Sequence, residues 1–250
     1  MSQGLIDDDV LQVQVLTGWR EAGMGHIAAL RLTLDSGWKT YWRAPGDAGI
    51  PPNFDWSASS NVASVTPHWP VPNIFNQNGM RSIGYDGEVI IPLHVTRETA
   101  DAPIRLTADI DIGVCEEICI PARISIDAQL PEQGAPDSEI ASALNDRPMT
   151  EQEASVGEVV CVVTPLEDGI ALEVHAEMPS IARGEVAAIE TADPTVWVAE
   201  PEMSRDGNTL IAKTELVRYD AEPFALDRSG VRMTVFGSGT AVDIQGCTGG

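Results

Sequence analysis

Apolar and polar side chains alternate along most of this 250-residue chain, and no other feature constrains its fold as strongly. In the segment 104–111, the apolar residues that alternate with polar ones are Ile104, Leu106, Ala108 and Ile110. Successive side chains of a β-strand point to opposite faces of the sheet, so this period of two predicts a strand with one buried face. The same pattern, interrupted by turn-forming residues, predicts further strands in the first half at 11–16, 27–34, 89–95 and 122–128.

The second half shows its own series of alternating segments, which predicts strands at 158–164, 170–176, 186–191, 195–200, 209–217, 231–236 and 241–245. Between the two series, the segment 131–153 is rich in proline and acidic residues and contains one helical pattern at 137–145. Ser138 is the expected N-cap of this helix. We therefore predict an all-β protein of two tandem β-sandwich domains, 1–130 and 154–250, joined by a short, partly helical linker at 131–153.

The chain carries a large negative charge, because 38 Asp and Glu residues face 15 Lys and Arg residues and give a formal net charge of −23. Nucleic acid and anionic lipid surfaces repel such a protein, so we exclude nucleic acid as a partner. Hydrophobic residues make up 43 % of the chain, which is enough to build a core. No apolar run approaches the ~18–20 residues needed to span a bilayer. The first nine residues lack the basic and apolar segments of a signal peptide, so none is predicted in this sequence.

Two of the four cysteines, Cys115 and Cys119, lie four positions apart and are followed by Pro121. A disulfide between them would close a very small loop and stabilise the fold little, because the entropic gain grows with loop length. It also requires a turn that brings the two Cα atoms within ~7 Å. Such a pair favours redox exchange, with soft-metal binding and a passive structural bridge as the alternatives. Glu116 and Glu117 would disfavour the thiolate form and slow reaction with small thiols.

The other two cysteines, Cys161 and Cys247, fall at the first and last strands of the predicted second domain. A bridge between them would tie the ends of that domain together and contribute roughly 3–5 kcal/mol. The alternative is a pair of unlinked cysteines, one buried in a strand and one in a mobile tail. We interpret Cys161 and Cys247 as a structural disulfide. One structural disulfide together with one reactive cysteine pair indicates a protein of an oxidising compartment.

The remaining motifs point to no further chemistry. The four histidines are far apart, and no His or Cys spacing is typical of a zinc site. The glycine patterns of phosphate-binding loops and of nucleophile elbows do not occur. Two segments rich in aromatic residues and proline, 38–52 and 68–79, are interpreted either as loops over packed aromatic side chains or as a rim that covers the cysteine pair.

Three segments of the first half are distinctive: 36–43 (SGWKTYWR), 83–88 (IGYDGE) and 114–121 (VCEEICIP). In this order, with the aromatic segment 68–79 between the first two, they resemble the N-terminal periplasmic domain of the DsbD thiol–disulfide interchange family. The resemblance is closest to the suppressor-of-copper-sensitivity B (ScsB-like) branch. The second domain resembles the additional β domain of that branch. In the best-known members five residues separate the two cysteines, whereas three separate them here.

This resemblance implies an immunoglobulin-like fold and a redox-active pair, in which Cys119 is the expected site of the mixed disulfide with Cys115 as its partner. By position, 73–80 corresponds to a cap loop that shields the pair until a partner docks. The residues expected to shield the pair or lie near it are Phe75, Asn76, Tyr41 and Trp42. The implied electron donor is a thioredoxin-like domain or the membrane electron conduit of a DsbD-type protein. The implied acceptors are periplasmic proteins that carry disulfides.

We therefore interpret the chain as a periplasmic thiol–disulfide exchange module, part of an oxidoreductase system that needs no cofactor beyond its own disulfide. One alternative is a copper-tolerance protein, in which reduced Cys115 and Cys119 bind Cu(I) with Met80 or His68 as a third ligand. Another alternative is a non-redox interaction module, in which the Cys115–Cys119 disulfide only stabilises a turn. A reduction potential below roughly −300 mV would favour this last hypothesis, since structural disulfides resist reduction.

Overall fold

The computed structural model describes residues 10–77, 79–220 and 222–250, and most of its regular structure is β. The chain divides into two compact units, with the boundary between Arg147 and Pro148. Each unit contains two sheets, which confirms the prediction of two mostly β bodies. The immunoglobulin-like topology and the domain bounds 1–130 and 154–250 stay predictions. The start of the chain, where no signal peptide is predicted, lies outside the described residues, as does Asn78 of the predicted cap loop.

The strands of the first unit are β1 (Leu11–Arg20), β2 (Gly25–Leu34), β3 (Lys39–Tyr41), β4 (Asn53–Asp55), β5 (Ser64–Pro67), β6 (Asn73–Gln77), β7 (Met80–Asp86), β8 (Glu88–Thr96), β9 (Arg105–Cys115) and β10 (Cys119–Gln129). One sheet has the strand order β1-β2-β8-β5. The other has the order β10-β9-β3-β7-β6, with β4 also paired to β9. Both sheets contribute fully buried side chains to the core, such as Leu30, Leu93 and Leu106. The second of these sheets carries the first cysteine pair.

A short helix, α1 (Ser138–Asn145), follows the last strand of the first unit. Its Ile140 is fully buried and packs against Ile27 and Ala29 of β2. This contact explains why β2, whose alternation predicts one buried face, has almost no exposed residue. The helix that was expected in the linker therefore contributes to the core of the first unit. Within the described residues, no helix is long and apolar enough to cross a membrane.

The N-cap of α1 is Asp137, so the prediction of Ser138 is wrong by one residue. Asp137 has an extended backbone, and its Oδ1 accepts hydrogen bonds from the backbone N–H groups of Glu139 at 2.8 Å and Ile140 at 3.2 Å. A carboxylate satisfies these free donors and also interacts favourably with the positive end of the helix dipole. The aspartate therefore takes the cap position, and Ser138 becomes the first helical residue.

The strands of the second unit are β11 (Met149–Thr150), β12 (Val159–Leu166), β13 (Gly169–Glu177), β14 (Val186–Glu190), β15 (Val196–Val198), β16 (Glu202–Asp206), β17 (Thr209–Arg218), β18 (Arg232–Gly237), β19 (Thr240–Gln245) and β20 (Thr248–Gly249). The sheet orders are β11-β19-β18-β14 and β15-β17-β13-β12-β20, with β16 also paired to β17. The core of this unit includes Cys161, Leu172, Leu210, Met233 and Val242. All seven strands predicted for this half are present, with small differences at their ends.

The segment 68–79 is not the long loop that its sequence suggests. Residues Asn73–Gln77 form β6, which pairs antiparallel with β7 in a hairpin. This strand is at the edge of its sheet and carries exposed polar side chains, so it shows no apolar alternation. Backbone pairing with β7, which is mostly buried, holds it in place. The cap-loop region is therefore a β-hairpin, which we call the β6–β7 hairpin.

Candidate functional site

The first cysteine pair closes the turn between two long antiparallel strands. Cys115 ends β9, Cys119 begins β10, and the two residues are directly opposite each other in the strand register. Their Cα atoms are 4.1 Å apart, and a disulfide joins them. The predicted turn and the predicted bridge are thus both present. The intervening residues Glu116, Glu117 and Ile118 are exposed at the tip.

The two bridged cysteines differ in their exposure to solvent. Cys115 is 1 % exposed, because it lies within the sheet beside β3. Cys119 is exposed at the start of the edge strand β10. A nucleophile that approaches from solvent therefore attacks Cys119. Cys115, which is buried, is then the leaving group.

The hydroxyl group of Tyr41 connects both sulfur atoms. It lies 2.9 Å from Cys115 Sγ and 3.2 Å from Cys119 Sγ, and Ala48 O is a further acceptor at 3.3 Å. Burial raises the pKa of Tyr41 above its ordinary value, so the hydroxyl keeps its proton at neutral pH and can donate it. The side chain itself is 3 % exposed. This arrangement provides a hydrogen-bond donor for a thiolate that forms at Cys115.

The backbone of β9 makes room for Tyr41 at Gly113. A Cβ atom at this position would lie 2.8 Å from Cβ of Ile50 and 3.1 Å from Cδ2 of Tyr41. Only glycine therefore lets the aromatic ring and Ile50 pack directly over the strand. The hydroxyl group of Thr40 donates to Gly113 O at 2.9 Å and fixes β3 against β9 on the buried side. The segment of β9 that leads to Cys115 is therefore closely packed against β3 and Ile50.

The β6–β7 hairpin reaches the cysteine turn through Gln77. Gln77 Nε2 is 3.4 Å from Glu116 O, and its Oε1 accepts a hydrogen bond from Lys39 Nζ at 2.7 Å. Phe75 is half-buried, and its ring centroid lies 5.2 Å from Lys39 Nζ. A cavity of about 610 Å³ opens between the hairpin and the turn, and its lining includes Trp38, Lys39, Phe75, Asn76, Gln77 and Glu116.

The residues expected near the pair occupy different surroundings. Tyr41 contacts the sulfur atoms directly. Phe75 packs over Lys39, and Asn76 is exposed on the hairpin. Trp42 is fully buried with the Arg43 guanidinium 3.9 Å above its ring, and as the residue after Tyr41 it faces the other way. The shielding roles of these residues stay predictions.

Sequence reasoning overlooked Lys39 and Gln77. A signal for Lys39 was available, because it precedes Tyr41 by two positions in an extended strand and therefore shares its face. Gln77 lies within 73–80, the cap loop that the resemblance implies, but nothing in its polar segment singled out this residue. Its importance follows only from the pairing of β6 with β7.

The second disulfide joins Cys161 of β12 to Cys247, just before β20. Cys161 is fully buried in the core of the second unit, and Cys247 packs against that core. Strands β12 and β20 pair in parallel next to the bridge. The predicted pairing of Cys161 with Cys247 is therefore present.

The copper alternative concerns the reduced form of the first pair. The side chain of Met80, one proposed third ligand, is 59 % exposed in the β6–β7 hairpin. The ring of His68, the other, lies 6.5 Å from the ring of His94 between centroids. In the part of the chain that the structure describes, no group of three or more His, Cys, Asp or Glu side chains is arranged to hold a metal ion.

Comparison with known proteins agrees with the resemblance found in the motifs. Residues 7–131 match the family model described as thiol:disulfide interchange protein DsbD, N-terminal. Among solved structures, the chain is similar to the N-terminal periplasmic domain of ScsB from Proteus mirabilis, with 22 % sequence identity and a TM-score of 0.69. That similarity covers 99 % of this chain and 97 % of the other, and at this identity it shows a shared fold alone. No curated protein sequence matches significantly.

Proposed function

Because this chain belongs to the family of DsbD N-terminal domains, whose model spans the Cys115–Cys119 disulfide, we propose that it relays electrons between proteins by thiol–disulfide exchange. The donor is a thioredoxin-like domain or the membrane electron conduit of a DsbD-type protein. The acceptors are periplasmic proteins that carry disulfides. The chain acts as a protein-disulfide reductase component, and its own disulfide is the redox group.

The unequal exposure of the two cysteines carries this proposal. A thiolate of the donor attacks the exposed Cys119, and the Cys115–Cys119 bond breaks as a mixed disulfide forms at Cys119. The electron pair of the broken bond stays on Cys115 Sγ. The Tyr41 hydroxyl group, 2.9 Å away, donates a hydrogen bond to this new thiolate.

The second half of the exchange oxidises the donor dithiol to a disulfide. The second thiol of the donor attacks its own sulfur in the mixed disulfide and releases Cys119. Two electrons have then moved from the donor dithiol to the Cys115–Cys119 pair. The reduced pair repeats the chemistry in reverse on an oxidised client, where Cys119 attacks and Cys115 resolves the mixed disulfide.

A periplasmic location fits the two disulfides of the chain. A structural bridge such as Cys161–Cys247 persists in oxidising compartments and is rare in the cytosol. The similar solved structure from Proteus mirabilis is described as a periplasmic domain. A reactive pair in the same compartment needs a supply of reducing equivalents, which explains the need for a dedicated donor protein.

The proposal is tested by mixing the oxidised protein with reduced thioredoxin under native conditions, alkylating free thiols and mapping the modified cysteines by mass spectrometry. We expect alkylation of Cys115 and Cys119, with Cys161 and Cys247 unmodified. If Cys115 and Cys119 stay oxidised over a range of thioredoxin concentrations, the exchange function is wrong.

Replacing Tyr41 by phenylalanine should slow the reduction of the first disulfide by about tenfold, because a hydrogen bond to the developing thiolate is lost while the ring is kept. The rate is measured with dithiothreitol by quenched alkylation. The matched control is Tyr85→Phe, which removes the hydroxyl group of another buried tyrosine that donates to Pro70 O at 2.8 Å. Equal rates in the two variants would contradict a role for the Tyr41 hydroxyl in exchange.

A further inference from the structure

Lys39 is a mostly buried lysine that lies opposite Cys115, whose sulfur is displaced in the proposed exchange. In the register of β3 and β9, Lys39 is the partner of Cys115, so the two side chains project from the same face with Cβ atoms about 4.5–5.5 Å apart. The residue is only 9 % exposed. Removing part of the hydration of its ammonium group is costly unless a partner compensates the charge.

The contacts of Lys39 in the oxidised protein compensate this charge only in part. Its ammonium donates to the neutral amide oxygen of Gln77 at 2.7 Å and lies 5.2 Å from the Phe75 ring centroid. Asp86, its cross-strand neighbour on β7, accepts a hydrogen bond from Asn73 Nδ2 at 2.8 Å. Burial lowers the pKa of Lys39 below its ordinary value, and none of the contacts described for its ammonium group is with a carboxylate.

The reaction creates a negative charge on Cys115, the residue opposite this lysine in the strand register. When Cys119 is attacked, the electron pair of the disulfide stays on Cys115 Sγ, which is buried and cannot be stabilised by bulk water. The carboxylates of Glu116 and Glu117 in the same turn disfavour a further negative charge. A nearby cation offsets both the lost stabilisation by water and the repulsion from the two carboxylates, because charges interact more strongly away from bulk water.

We propose that the ammonium group of Lys39 supplies the counter-charge for the Cys115 thiolate in this exchange. The step balances: the donor thiolate forms a bond to Cys119 Sγ, the Cys115–Cys119 bond breaks, its electron pair stays on Cys115 Sγ as a thiolate, and Lys39 keeps its proton. The kinetic part of this inference rests on the proposed exchange function. The lysine turns from the neutral amide of Gln77 to the thiolate, because a charge-assisted hydrogen bond is about twice as strong as a neutral one.

The chain contains one other lysine, Lys213, which provides a matched control. Lys39→Met and Lys213→Met change the net charge by the same amount, and Lys213 is an exposed residue of the second unit that pairs with Glu173. Both variants are reduced with dithiothreitol, a small reagent that attacks every variant as the same thiolate, and the modified cysteines are mapped after alkylation. We expect Lys39→Met to react about tenfold more slowly than the wild type and Lys213→Met to react at the wild-type rate. A wild-type or faster rate for Lys39→Met would overturn the proposal.

A second measurement does not depend on exchange. In a Cys119→Ala background, with the Cys161–Cys247 bridge intact, Cys115 is the free thiol, and its ultraviolet thiolate absorbance at neutral pH reports its ionised fraction. We expect this absorbance to fall when Lys39→Met is added and to stay unchanged with Lys213→Met. An equal thiolate signal with and without Lys39 would overturn the proposal, even if the exchange function holds. If thioredoxin fails to reduce the wild type while the thiolate signal depends on Lys39, the exchange function fails and this electrostatic role stands.

Discussion

Replacing Cys119 by alanine is expected to abolish exchange with thioredoxin-like partners, with a loss of about a thousandfold or more, while Cys115→Ala keeps the ability to form a mixed disulfide. The reason is the exposure of the two residues, since Cys119 is at the surface and Cys115 is 1 % exposed. A single thiol at position 119 can attack or be attacked. A single thiol at position 115 lies within the sheet and is inaccessible to a partner protein.

The measurement uses a thioredoxin variant that lacks its resolving cysteine and carries an activated disulfide on the other. Each single-cysteine variant is mixed with this probe, and the covalent complex is quantified on a non-reducing gel. We expect a complex with Cys115→Ala and none with Cys119→Ala. The control is the Cys161→Ala/Cys247→Ala variant, in which the reactive pair is intact. It should still exchange with wild-type thioredoxin. Trapping only through Cys115 would contradict the assignment of Cys119 as the attacked residue.

Removing the second disulfide should destabilise the second unit by about 4–5 kcal/mol, because the bridge spans 86 positions and restricts the unfolded chain strongly. The buried position of Cys161 adds to this loss, since alanine leaves space in the core. The first disulfide spans four positions, so Cys115→Ala/Cys119→Ala should cost only about 2 kcal/mol. Removal of the second disulfide is therefore expected to lower stability far more than removal of the first.

These stabilities are measured for each unit separately, since a chain of two units need not unfold in one step. Hydrogen exchange of β12 and β13 in increasing urea reports the second unit, and that of β2 and β8 reports the first. We expect Cys161→Ala/Cys247→Ala to lower the protection of β12 and β13 and to leave exchange with thioredoxin unchanged. A stability loss no larger than that of the first pair would contradict the structural role of Cys161–Cys247.

Among the described residues, the sequence predicts β1, β2, β8, β9 and β10 and seven strands of the second unit, because alternation is a local property that each strand carries alone. It does not predict β3–β7, β11, β16 and β20. The sequence predicts strands poorly where pairing or packing with another element determines whether a segment forms a strand or which of its faces is buried. The hairpin strand β6 has polar, exposed side chains and is held by backbone pairing with β7, so its residues Asn73, Asn76 and Gln77 read as a loop. Similarly, β2 has two buried faces because Ile140 of a distant helix packs on it.

The same distinction applies to the site. The spacing of Cys115 and Cys119 indicates a reactive pair, but their unequal exposure follows from strand order, which places β10 at the edge and β9 inside. Tyr41 was expected near the pair by resemblance, and its position depends on the close approach allowed at Gly113. Lys39 shares the face of Tyr41 by simple alternation, whereas its contact with Gln77 requires a hairpin that the sequence does not indicate.

The reduction potentials of the two disulfides test the central claim most directly. The protein is equilibrated in redox buffers under native conditions, and the alkylated peptides of each pair are quantified by mass spectrometry. We predict a potential of about −180 to −270 mV for Cys115–Cys119, within the range of thioredoxin-like carriers, while Cys161–Cys247 stays oxidised throughout. A Cys115–Cys119 potential below about −300 mV, or reduction only after denaturation, would contradict the exchange function and identify the pair as a structural bridge.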